Sequence, residues 1–167
     1  MAITIVAPPG MRGIAGHLKT LIRTAFALEH RRAGEVAVVL TDDPTLRDLN
    51  RLYRGIDRAT DVLSFSYGEG SGRVQGDVVV SLDRMCHQAR RFRVSEGEEL
   101  ARLVIHGALH LAGLDHHGAS ERRHMRARED EAMRRARTVV RRIEQVVRRS
   151  ARRSGRLRVR RQPSAQH

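Results

Sequence analysis

The sequence predicts an α+β domain, a small mixed β-sheet of about four strands covered by helices. Two observations carry that reading. Short β-prone runs alternate with longer stretches whose apolar residues recur at three- and four-residue spacing, and clusters of Gly, Pro, Asp and Ser separate them. Strands interleaved with helices are followed by a terminal helical section, which suggests a small mixed sheet covered by helices.

Thr4 and the residues up to Ala7 form the first β-prone run, closed by Pro8, Pro9 and Gly10. Residues 11–28 read as a helix with Ile14, Leu18, Leu21, Ile22 and Ala25 on one side. Residues 35–40 hold Val36, Val38, Val39 and Leu40 and read as a buried strand. Asp43 has the chemistry of an N-cap with Pro44 at the first helical position, opening a helix through Leu46, Leu49, Leu52 and Tyr53 that should stop at Gly55. Residues 62–67 and 77–82 are the remaining strands, with the glycine-rich turn 68–72 expected to be mobile between them. A short helix is expected over 84–93. Ser95 and Glu98 then have capping-box spacing, placing the start of a helix that carries Leu100, Leu103, Val104 and Leu111 on its buried side. Ser120 is expected to cap one last helix, with Met125, Ala132, Met133, Ala136, Val139, Val140, Ile143 and Val147 facing inward.

The 167 residues, 40% of them hydrophobic, suffice for one domain with a real core. Residues 1–149 are read as that domain and 150–167 as an arginine-rich tail expected to be disordered. One cysteine, Cys86, excludes an internal disulfide and a cysteine-rich zinc site. The N-terminal segment lacks the pattern of a signal peptide, and no apolar run is long enough to span a membrane, so a cytoplasmic protein with no membrane partner is expected. The formal charge of +13 is concentrated late: residues 120–167 hold seventeen arginines against five acids, whereas 1–119 are nearly balanced. Such a block suits phosphate-rich partners, because guanidinium groups grip phosphates in pairs of hydrogen bonds and release counterions.

His106, His110 and His116 are the chemical centre of the sequence. The first two, four residues apart, share one face of a helix and can share a metal ion. Gly113 can take a left-handed conformation, end that helix and bring His116 to the same ion. Three protein ligands on a tetrahedral ion leave one position open, the arrangement of a catalytic zinc on a zincin-like metal helix. The spacing is that of the H-E-x-x-H-x-x-G-x-x-H proteases, but Gly107 stands where their general-base glutamate would be. Peptide hydrolysis is therefore not expected.

The segment from His106 to His116 resembles the H-G-x-L-H-L-x-G-x-D-H signature of the YbeY-type endoribonucleases at every defined position. Leu49-Asn50-Arg51-Leu52-Tyr53-Arg54-Gly55, Thr60-Asp61-Val62-Leu63-Ser64-Phe65 and Gly76-Asp77-Val78-Val79-Val80-Ser81 are similar to further blocks of that family, in the same order. Ala59 and Ser66 replace two of its prolines, and the arginine-rich end is not covered. The resemblance implies zinc ligands at His106, His110 and His116, one Zn2+ per chain, with another divalent ion such as Ni2+ compatible with imidazole ligands. It implies a catalytic role for Arg54, whose guanidinium suits a phosphodiester. Asp115 either orients a metal-bound histidine or assists proton transfer, or else caps the turn, and the sequence leaves these open. His117 competes with His116 on spacing alone; the family pattern puts the ligand directly after Asp115.

The implied activity is zinc-dependent hydrolysis of single-stranded RNA in rRNA maturation, at the 3′ end of 16S rRNA, and in ribosome quality control, with rRNA and the ribosome or its small subunit as partners. Few aromatic residues are present for base stacking, so weak sequence preference and strong salt sensitivity are expected. The rival readings are a zinc metallopeptidase-like hydrolase and a non-catalytic ribosome-associated zinc protein.

Overall fold

The computed structural model describes residues 2–11, 13–68, 72–115 and 117–154. Four strands form one sheet: β1 (Ile3–Val6), β2 (Ala33–Thr41), β3 (Val62–Ser66) and β4 (Val74–Ser81), in the order β1-β2-β4-β3. β1 and β4 both run parallel to β2, and β3 pairs antiparallel with β4 as an edge strand. The sheet is mixed and four-stranded, as the sequence predicts.

Alternation along the central strands sorts the two faces. Val36, Val38 and Leu40 of β2, with Val78 and Val80 of β4, point into the main core. Val79 points the other way, into a small cluster with Leu46 and Leu63. That second face is covered by α2 (Asp43–Arg54). The main face is covered by α1 (Ala15–Leu28) and α4 (Glu96–Leu111), with α3 (Leu82–Phe92), α5 (Ala119–Arg135) and α6 (Arg137–Arg153) packed around α4. α4 is the hub: Leu100, Val104, Ile105 and Leu109 are wholly buried, each side chain of this kind contributing about 1.5–3 kcal/mol.

Two glycines set how closely α4 can be approached. A Cβ on Gly97 would lie 2.4 Å from the Cα of Glu144, so α4 and α6 cross there backbone to backbone. A Cβ on Gly107 would lie 2.5 Å from Val78 Cγ1, 3.2 Å from Ser64 Oγ and 3.3 Å from Val62 Cγ2. At that point the helix rests directly on the antiparallel edge of the sheet.

Several boundaries differ from expectation. α1 begins at Ala15, because residues 9–11 make a separate 3-10 turn that buries Met11. The cap of α2 is Asp42, whose carboxylate accepts from the Thr45 N–H; Asp43 is instead engaged by Ser81 Oγ and Arg84 Nε. Ser95 does cap α4, accepting from the Glu98 N–H at 3.0 Å. The expected last helix is two helices meeting at Ala136. The first starts from Gly118, where the Glu121 carboxylate accepts from the N–H groups of His117 and Gly118. α6 continues to Arg153 with Ser150 and Ala151 buried, past the boundary expected at residue 149. The expected disorder of the tail concerns residues that, from 155 onward, lie outside those described, as do residues 69–71 of the glycine-rich turn. Among the described residues, no helix is long and apolar enough to cross a membrane.

Candidate active site

Both described histidines of the signature lie where the spacing predicts, in the last half of α4. His106 Nδ1 meets Glu129 Oε1 of α5 at 3.1 Å, and His110 Nδ1 meets the carbonyl oxygen of Leu114 at 2.9 Å. A carbonyl only accepts and a carboxylate accepts, so each Nδ1 donates and the acceptor lone pair of each neutral ring is on Nε2. This is the partner arrangement that orients imidazoles toward a metal. Burial works against the charged form of His106, but the hydrogen bond and charge of Glu129 and the charge of Asp61 outweigh it and raise its pKa.

The Leu114 carbonyl reaches His110 because the chain doubles back there. α4 ends at Leu111, Gly113 follows with φ +108°, and the Leu114 N–H bonds back to the Leu109 carbonyl. The predicted glycine turn is present and fixes one histidine tautomer. His116 lies outside the described residues. Among the described residues no three His, Cys, Asp or Glu side chains converge as a metal site, so fit to a metal rests on the two oriented imidazoles.

Arg54 stands across from them. It is the last residue of α2, on the opposite face of the sheet, and reaches around the edge strand. Its Nη2 donates to the Ser64 carbonyl at 3.1 Å, and its guanidinium lies 6.0 Å from the centroid of the Phe65 ring. Tyr53 packs edge-on against the same ring. A cleft of about 330 Å³ results, with Arg54, Arg58, Asp61, Ser64, His106 and His110 in its walls.

Three residues quoted only as parts of motifs acquire roles here. Asn50 is buried and its amide donates to the Arg58 carbonyl at 3.0 Å, tying the loop after Gly55 to α2. Asp61 accepts from its neighbour's Val62 N–H and from Gln88, so both carboxylate oxygens are engaged in holding the cleft wall. Ser64 Oγ donates to the Gly107 carbonyl at 3.1 Å, pinning the histidine helix to the strand that also holds Arg54. Glu129, by contrast, sits in no recognised motif; only its packing against α4 reveals it. Asp115 Oδ1 meets His117 Nε2 at 2.9 Å, at an exposed position. Gly107 faces the sheet rather than the cleft. In this fold a glutamate there would have no room, which explains why the protease spacing occurs without the protease base.

A helix with two oriented imidazoles, laid on a sheet edge opposite a guanidinium hydrogen-bonded to that edge, is the build of a hydrolase for anionic substrates. The comparisons with known proteins are specific. The family model described as Endoribonuclease YbeY matches residues 12–137. An endoribonuclease YbeY of Anaeromyxobacter sp. (strain Fw109-5) is 43% identical over 128 residues, covering 75% of this chain and 67% of its own length. That of Carboxydothermus hydrogenoformans is 42% identical over 120 residues, 70% of this chain and 84% of its own. The solution structure of TM1509 from Thermotoga maritima aligns with a TM-score of 0.56 at 29% identity, over 82% of this chain and 93% of that one. The chain belongs to the endoribonuclease YbeY family. The family match ends where α6 begins.

Proposed function

We propose that the protein is a zinc-dependent endoribonuclease that hydrolyses phosphodiester bonds in single-stranded RNA. The same reading assigns it to the cytoplasm, to maturation of the 16S rRNA 3′ end and to ribosome quality control, with rRNA and the ribosome or its small subunit as partners. The observation that carries the proposal is the cleft in which Arg54 faces His106 and His110, each imidazole tied through Nδ1 to a fixed acceptor.

His106, His110 and His116 would hold the metal, which when bound supplies Lewis acidity and brings the pKa of water down toward about 7. Arg54 binds the scissile phosphate. Because the Ser64 carbonyl and the Phe65 ring hold its guanidinium in place, its other N–H groups meet charge developing at phosphorus with little reorganisation. Arg58 adds positive charge on the same wall, positioned through the Asn50 bond to its carbonyl. Asp61 is committed to Val62 and Gln88 and serves as wall, not as proton acceptor. Asp115, in contact with His117 beside the expected third ligand, would orient the metal-bound histidine or assist proton transfer.

Metal content, thermal stability and RNA cleavage should be measured for the wild type, His110→Ala and Arg54→Glu. Zinc should raise the Tm of the wild type by mass action and leave His110→Ala unmoved. His110→Ala should lose metal and cleavage together, while Arg54→Glu should keep metal and lose cleavage. Wild-type cleavage by His110→Ala would remove the histidines from the chemistry and end the proposal.

A further inference from the structure

The two last helices carry their arginines to different neighbourhoods. α5 runs antiparallel to α4, since Arg102 and His106 of α4 meet Asp130 and Glu129 of α5. The earlier turns of α5 therefore lie beside the half of α4 that bears the histidines. Arg122, Arg126 and Glu129, four and then three residues apart, stand in one row on that helix. Glu129 ends the row on His106. With Arg123 they line a groove of about 560 Å³ in which His106 is a wall. His106 is also a wall of the Arg54 cleft, so the two depressions meet at one imidazole.

The pairing of these arginines differs from that of their neighbours. Arg128, Arg134 and Arg135, further along α5, each pair with a carboxylate. Arg122 donates only to the carbonyl of His117, at 3.4 Å, which sets it beside the segment of the expected third ligand. Arg123 and Arg126 are exposed, and their side chains have no hydrogen bond or ion pair among the described residues. Guanidinium groups with no ion pair of their own, in a groove that opens on a reaction site, suit a phosphate backbone, and the carboxylate in the groove wall, Glu129, is engaged by His106.

Resting on the endoribonuclease reading, we propose that Arg122, Arg123 and Arg126 form a second phosphate subsite. It holds the RNA strand on the far side of His106 from Arg54. A strand laid from the Arg54–Arg58 wall past the imidazoles onto α5 is gripped on both sides of the bond to be cut. Oligonucleotides too short to span both depressions forgo the second grip. The arginines of α6 have no part in this, because α6 crosses α4 at Gly97, nine residues and about 14 Å along the helix from His106.

The test compares two double substitutions that remove equal charge from the full-length, metal-loaded protein. Arg123→Gln with Arg126→Gln alters the groove; Arg141→Gln with Arg149→Gln alters the exposed face of α6. Cleavage of an unstructured RNA of about twelve nucleotides, a length in the usual range of single-strand sites, is followed across salt concentrations. The groove pair should raise KM about tenfold with kcat unchanged, and should lower the salt slope of kcat/KM by about 1.4, the loss of two single-strand phosphate contacts. The α6 pair should change KM less than twofold. A trinucleotide should be cleaved equally by the wild type and the groove pair. Equal losses in the two pairs, or no loss in the groove pair, would overturn the subsite while leaving the nuclease reading intact. A wild type that cleaves no RNA would instead defeat that reading itself.

Discussion

Replacing Gly107 by alanine adds one methyl group where the structure has no space for it. The new carbon would stand 2.5 Å from Val78 Cγ1. Carbon atoms prefer about 3.5–4.0 Å, so the helix or the strand must retreat by about 1–1.5 Å. Val78 is wholly buried and paired with Val38 on one side and Ser64 on the other, so the strand is the less yielding partner and α4 moves. Overpacking of this kind costs about 1–3 kcal/mol. The alanine recovers about 1 kcal/mol of helix propensity, leaving a net loss of up to about 2 kcal/mol. Function should fall further than stability. His106 is the preceding residue, and the bond from Ser64 Oγ to the Gly107 carbonyl couples the helix to the strand that holds Arg54. A displacement of about 1 Å in such a site costs about 100-fold in rate. Urea denaturation of the wild type, Gly107→Ala, Val78→Ala and the double substitution, with RNA cleavage for each, measures both effects. The double substitution should be less destabilised than the sum of the singles, because removal of Cγ1 makes room. A Gly107→Ala protein as stable and as active as the wild type would refute the close-packing argument.

Two further predictions concern the scaffold. Burial holds the Glu99 carboxyl above its usual range, helped by the charges of Asp61 and Glu129 and opposed by Arg102. A carboxyl raised in the folded state loses stability for the protein as pH rises from its ordinary value of 4.5 through the folded value. Glu99→Gln should therefore stabilise the protein at pH 7 and be neutral below pH about 4, read from paired denaturation curves. Ser95→Ala removes both the cap on the Glu98 N–H and the hydrogen bond to Glu144 that ties α4 to α6. It should cost about 1–2 kcal/mol, in a denaturation midpoint that Ser95→Thr largely restores.

Much of the fold is legible wherever one short-range interaction decides the outcome. Ser95 three residues before Glu98, Gly55 after Arg54 and Gly113 after Leu111 each solve a local backbone problem, and the structure uses each accordingly. Legibility fails where two residues could do the same job. Asp42 and Asp43 are equally good caps in sequence; Ser81 and Arg84, some forty positions away, take Asp43 and leave the cap to Asp42. It fails again at Ala136, where no glycine or proline marks the break between α5 and α6. The turn there follows from packing, since α5 lies along α4 while α6 must cross it at Gly97.

The site divides in the same way. The sequence by itself determined the pair of imidazoles on one helix face, the glycine turn beyond them and the absence of a glutamate at position 107, because helical periodicity and residue chemistry are local properties. Only the tertiary structure decided that Arg54 comes around the sheet edge to face those imidazoles, and that Glu129 sets the tautomer of His106. It also showed that Gly107 is a packing residue rather than a missing base. These are relations between elements far apart in the chain or on opposite faces of the sheet, and side-chain contact at that range is fixed by how the layers pack, which no spacing within a single segment encodes.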